Sequence, residues 1–213
     1  MDSLQPNWNQ QKPSPQDALL VGSQVSLQPF QLESEAIGRV LERLRVNHSN
    51  GGAFIASVRV GSNEVFDWFA SRNRLLEYDI LPLLLRRDEI RSLLPSVAIP
   101  ETLASNCEGQ ARSVASSGGF SFDNPFLLDG QLAQRLFAGG AYPPESKMSG
   151  RAAMQLAAEF CEAVFGRRYE DVCLFSSYEP WTPWFRGIAW DWTSILFDKG
   201  ERSLWILVVT DED

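Results

Sequence analysis

Apolar positions along this chain recur with two different periods, and the places where one gives way to the other predict the order of elements. Leu32, Ala36, Ile37, Val40, Leu41 and Leu44 recur at helical spacing, so a helix is expected over 31–46, with Glu33, Glu35, Arg39, Glu42, Arg43 and Arg45 facing elsewhere. The polar run Asn47-His48-Ser49-Asn50-Gly51-Gly52 ends it. Ala53 to Val60 reads as a strand and Gly61-Ser62-Asn63 as a turn, with the weaker alternation from Glu64 to Phe69 returning as a hairpin partner. The leucine-rich stretch 73–94 predicts one or two helices, interrupted or restarted at Pro82.

Residues 1–29, rich in Gln, Pro, Ser and Asn, read as an irregular lead-in that Trp8 pins to the body. Residues 95–125 are the least patterned: a short helix over about 101–115 gives way to Ser116-Ser117-Gly118-Gly119 and Asp123-Asn124-Pro125. The expected organisation is one domain over 30–213, with a division into two subdomains sharing a core falling near 95–125. Asp129 is expected to cap a short helix reaching Phe137, and Ser149 a longer one from Gly150 to Phe165. Three strands follow, Asp171–Ser177, Trp184–Phe197 and Ser203–Thr210, giving an α+β fold whose antiparallel sheet ends in a C-terminal three-strand meander packed by helices.

The last two strands carry the most specific expectation. Asp198-Lys199-Gly200 suits a three-residue hairpin loop with Gly200 left-handed. That loop sets Trp190 opposite Val208, Trp192 opposite Ile206 and Ser194 opposite Leu204, with Asp191, Thr193 and Ile195 on the other face. Both faces are largely apolar, so the hairpin is expected centrally in the sheet, with something packed on each side and at least one helix doing that covering.

Composition narrows the functional classes. Over 213 residues, 44% hydrophobic and 22% charged residues describe an ordinary globular chain. A net charge of −8, with basic residues only in short pairs such as Arg86-Arg87 and Arg167-Arg168, argues against nucleic acid and suits a basic protein partner or a cation. No apolar run approaches a membrane span, and Met1-Asp2-Ser3-Leu4-Gln5-Pro6 lacks the pattern of a secretory signal. Cys107, Cys161 and Cys173 suit free thiols in a reducing compartment, with cytosol the simplest reading.

Catalytic signatures are scarce. There is no phosphate loop, dinucleotide fingerprint, Cys-x-x-Cys or His-Glu-x-x-His, and any histidine-dependent site must run through His48 in its polar turn. Cys107 could pair with it only if the fold brought them together. Cys161 and Cys173 read as small core residues. Asp191, between two tryptophans, reads as a structural carboxylate paired with Arg186 or Arg202. No two of His48, Cys107 and Asp191 are expected to share a site, and no cofactor or metal is implied.

Five of the seven tryptophans fall in the last 33 residues. Trp190, Trp192 and Trp205 read as core, whereas Trp181 and Trp184, in Pro180-Trp181-Thr182-Pro183-Trp184, read either as a preformed recognition edge or as a loop folded over the hydrophobic face. The functional expectation is a small acidic cytosolic binding protein of inhibitor or immunity type, engaging another protein through Tyr178, Trp181, Trp184, Asp211, Glu212 and Asp213. The alternative is a carboxylate- or cysteine-dependent enzyme with its site in a cleft between the subdomains.

Overall fold

The computed structural model describes residues 3–101, 119–143 and 147–213. Cys107 and the helix expected over 101–115 therefore lie outside the described residues, apart from Glu101. The described elements run α1 (Pro15–Gln24), β1 (Leu27–Pro29), α2 (Glu35–Asn47), β2 (Gly52–Val60), α3 (Glu64–Ser71), α4 (Ile80–Leu85), α5 (Asp88–Arg91), β3 (Ser121–Asp123), α6 (Leu128–Ala138), α7 (Gly150–Phe165), β4 (Val172–Ser177), β5 (Trp192–Asp198) and β6 (Ser203–Thr210). The fold is α+β. One antiparallel sheet takes the order β1-β2-β6-β5-β4-β3, so the C-terminal meander β4-β5-β6 occupies its middle.

Strand periodicity separates two cores. On β6, Leu204, Ile206 and Val208 enter one cluster with Phe66 and Phe69 of α3 and Leu81 and Leu84 of α4. Trp205, Leu207 and Val209 enter the other, with Val40 of α2, Leu132 of α6 and Phe160 of α7. The sheet is thus sandwiched between two helical layers, as expected from a hairpin apolar on both sides. No helix among the described residues is long and apolar enough to cross a membrane.

Local chemistry explains most boundaries. Ser149 accepts the Ala152 N–H and caps α7, whose buried stripe of Ala153, Leu156, Ala157, Phe160, Cys161 and Val164 follows the expected spacing. Two segments differ from the sequence reading. Residues 15–24 form α1 because Ser14 and Asp17 make a reciprocal capping box with Pro15 in the first turn. Residues 64–71 form α3 and not a return strand, because Asn63 accepts the N–H groups of Val65 and Phe66 and buries the helical face Phe66, Phe69, Ala70.

The hairpin register also differs. Asp198 pairs with Ser203 and Trp192 with Val209, three positions along β6 from the expected Ile206. The loop is four residues, Lys199–Arg202: Asp198 Oδ1 accepts from the N–H groups of Gly200 (2.9 Å) and Glu201 (3.2 Å), and Arg202 takes the left-handed conformation at φ 51°. Arg202 is held there by donating to the carbonyls of Val60 (3.0 Å) and Gly61 (2.7 Å) and to Asp67 (2.6 Å). An odd slip exchanges the faces, so Trp192 shares its face with Trp205 and not with Ile206. β5 itself begins only at Trp192, leaving 178–191 as a loop between the central strands.

Candidate functional site

At one end of the sheet this loop meets α6 around a cavity of about 340 Å³. Gln131, Gln134 and Arg135 line it from one helical face of α6, His48 from the end of α2, and Tyr178 and Trp190 from the two ends of the loop. Trp190, expected within the core, is outside β5 and only half-buried; Trp192 is fully buried beneath.

Two buried aspartates fix the walls. Asp191 Oδ2 accepts from the N–H groups of Arg186 (3.0 Å), Gly187 (2.6 Å) and Ile188 (3.2 Å), and its Oδ1 accepts from the Thr210 hydroxyl. Its expected partners are otherwise engaged: Arg186 pairs with Glu212 and Arg202 with Asp67. The carboxylate is therefore a knot that closes the loop on β6, satisfied by backbone dipoles in place of a cation. Asp211, 1% exposed, receives the Asn50 N–H on Oδ1 (2.9 Å) and the Ala141 N–H on Oδ2 (2.8 Å). It ties the α2–β2 turn to the chain leaving α6, and a side chain on Gly140 would meet its carboxylate.

His48 caps α2 with its backbone N–H on the Leu44 carbonyl (2.9 Å) and sets Nδ1 2.8 Å from the same oxygen. A carbonyl only accepts, so in the neutral ring Nδ1 carries the proton and Nε2 is left an acceptor. Burial pushes the ring's pKa down, against the opposing pull of Leu44 and the nearby Asp211 charge. Arg135 lays its guanidinium carbon 3.9 Å from the centroid of Trp192 and 5.7 Å from that of Tyr178, and Nη1 donates to the Gln131 carbonyl (3.0 Å). Burial lowers the pKa of Arg135 as well, and among the described residues it forms no ion pair with a carboxylate.

The residues expected to form one binding surface are divided. Tyr178, 53% exposed, borders the cavity. Trp181 donates its indole N–H to Thr193 Oγ1 (2.8 Å) and packs against Phe120 and Phe185; Trp184 packs against Phe54 and Phe185. Both lie half-buried on the first core, a loop folded over that hydrophobic face. Glu212, held by Arg186 (3.1 Å), and exposed Asp213 remain at the surface, whereas Asp211 does not. His48 and Asp191 have separate partners. Cys161 and Cys173 are buried, with burial pushing their thiols up to about 12 and about 11. Among the described residues no three His, Cys, Asp or Glu side chains are grouped to hold a metal ion.

Sequence reasoning missed Arg135 and Gln131. Their only signal is a polar stripe at 131, 134 and 135 on a short helix, which a solvated face would equally produce. No family model matches the chain, and no curated protein and no solved structure matches it either.

Proposed function

We propose that this protein acts by binding another protein, and that the cavity face beside α6 is its contact surface. One observation carries the reading: Arg135, stacked on the buried Trp192 ring, stands with half-exposed Tyr178 and Trp190 around a concave site. Tyr, Trp and Arg are the residue types that dominate binding energetics, above all where they surround a pocket. Glu212 and Asp213 supply acidic charge at the C-terminus, where they would set association rate more than affinity. The acidic balance favours an inhibitor or immunity-type role in the cytoplasm as the specific form of this activity.

The enzymatic alternative gains little support from the described residues. The carboxylates of Asp191 and Asp211 are consumed by backbone N–H groups, and the two described thiols sit far above the range of a nucleophile.

The test is a photo-crosslinking side chain at position 178, used to capture a partner in cell lysate for identification by mass spectrometry. The purified pair is then titrated by calorimetry. Arg135→Ala is expected to weaken the complex by ~2 kcal/mol, roughly 30-fold in Kd. An unchanged Kd in a folded Arg135→Ala protein would overturn the reading.

A further inference from the structure

The unbalanced polar groups of the cavity specify what it receives. In a chain with 27 acidic and 19 basic residues, Arg39, Arg59, Arg74, Arg87, Arg91, Arg168, Arg186 and Arg202 sit on carboxylates, whereas Arg45 and Arg72, like Arg135, are met by carbonyls and aromatic rings. Arg135 is desolvated enough to lower its pKa, yet its described contacts are the Gln131 carbonyl, the Tyr178 hydroxyl and two rings, none of them an anion. The aromatic face and these neutral acceptors offset part of that desolvation, but among the described residues no carboxylate meets the planar fork. A carboxylate fits that fork bidentately.

Acceptors stand on the same wall. Gln131 gives its amide N–H to Asp123 (3.0 Å), while its buried Oε1 has no hydrogen-bond partner among the described residues. His48 offers Nε2, as derived from its Nδ1 contact. An occupant therefore needs a donor as well as an anion, since a buried acceptor left unmet costs free energy. Trp190 and Tyr178 at the edges suit a flat apolar body between the two polar ends. A volume of about 340 Å³ is that of a small-ligand pocket. Phosphate is a poorer match: one arginine beside a neutral imidazole supplies too few donors for a dianion, and among the described residues no helix begins at this wall.

We propose that the cavity binds a small, flat monocarboxylate carrying a hydroxyl or amino donor, with the carboxylate on Arg135 and the donor on Gln131 or His48. The proposal rests on the cavity being a binding site, as in the function proposed above, but not on that function's partner being a protein. The carboxylate arrives on a free small molecule, with the ring of the ligand beside Trp190.

The experiment titrates the purified chain with 3- and 4-hydroxybenzoate, 4-aminobenzoate, benzoate, the neutral isostere benzamide and inorganic phosphate, following the indole N–H resonance of Trp190 by NMR. Saturable binding of the substituted benzoates is expected, with benzoate weaker and benzamide and phosphate without effect. Arg135→Gln should weaken binding at least about tenfold, the usual consequence of losing one charge-assisted pair. Gln134→Glu, at the exposed rim, sets a negative charge beside the carboxylate without touching the core and should weaken it too. Gln131→Leu should erase the preference for hydroxybenzoate over benzoate, a selectivity that general damage to the fold would not remove alone.

The inference is overturned if no carboxylate saturates the wild-type protein, if benzamide or phosphate binds as well as the benzoates, or if both Arg135→Gln and Gln134→Glu bind like wild type. A protein captured through Tyr178 and Arg135 by a chain that binds no carboxylate would overturn this inference and leave the proposed function standing. Carboxylate binding by a chain that captures no protein would support the inference and remove the protein-binding reading.

Discussion

Arg135 covers Trp192: the guanidinium carbon lies 3.9 Å from the indole centroid, and the indole, the first residue of β5, is completely buried. The contact joins α6 to the sheet at the floor of the cavity, so the charge that addresses a ligand also completes the packing of the core. Trp190, two residues earlier in sequence, lies outside this packing and borders the open side.

The two tryptophans should therefore separate in a stability measurement. Trp192→Ala removes a fully buried indole and is expected to cost ~3–5 kcal/mol, the usual range for truncating a large aromatic in a core. Trp190→Ala, outside the ladder and half-exposed, should cost under about 1 kcal/mol. Urea denaturation of the two variants decides it. Comparable losses would place Trp190 in the core after all, and would remove it from the cavity edge.

The β5–β6 turn gives an equally sharp contrast. Asp198 holds Gly200 and Glu201 with one oxygen and Arg168 with the other (2.6 and 2.9 Å), while Arg202 takes the left-handed position. Asp198→Ala is expected to destabilise by ~2–3 kcal/mol, because it leaves two turn N–H groups and a guanidinium unpaired. Gly200→Ala should stay within about 1 kcal/mol, since Gly200 has no positive φ and its added methyl meets chiefly the movable Arg168 side chain at 3.1 Å. Thermal melts of both variants test the order. A larger loss at Gly200 would restore the three-residue turn and its register.

This turn also marks where legibility in the sequence ends. Helices with long apolar stripes, α2 and α7, and the strands β2, β4 and β6 were readable because burial on a regular period leaves its trace in every residue. The central place of the hairpin followed from its two apolar faces. Its register did not, because register hangs on one turn, and Asp198 can close either a three- or a four-residue loop until Arg202 is known to find Val60, Gly61 and Asp67 across the sheet. The cavity was still less legible. Tyr178 stands out in the sequence for its aromatic ring, but Arg135 and Gln131 look like any solvated stripe of α6. What sets them apart is their place on the cavity wall, with no carboxylate paired to the desolvated guanidinium and no donor to the buried Oε1 among the described residues, and such a juxtaposition exists only in three dimensions.

His48 supplies the last prediction, and its sign is fixed by burial. The folded ring has its pKa lowered from the ordinary 6.5, chiefly because leaving water penalises the charged form; the Arg135 charge adds to this, while the Leu44 carbonyl and Asp211 oppose it. Below 6.5 the unfolded chain then binds a proton that the folded chain refuses, so stability is full above that value and falls as pH drops toward the folded pKa. The window is clean. His48 is the only histidine in the chain, and Glu77, Glu89, Asp123 and Glu201 have pKa values lowered from 4.5 or 3.8, so the stability they contribute is lost only in more acid solution. Between pH 6.5 and about 5 the unfolding free energy should decline with a slope of at most ~1.4 kcal/mol per pH unit, the limit for a single proton. His48→Gln should flatten that stretch while leaving the fall at lower pH in place. Urea denaturation of both proteins at half-unit steps from pH 5 to 7.5 measures it. A wild-type profile already flat below pH 6.5 would mean that the folded ring charges as easily as the unfolded one, and Nε2 would then turn from acceptor to donor on the cavity wall as soon as the pH fell below that value.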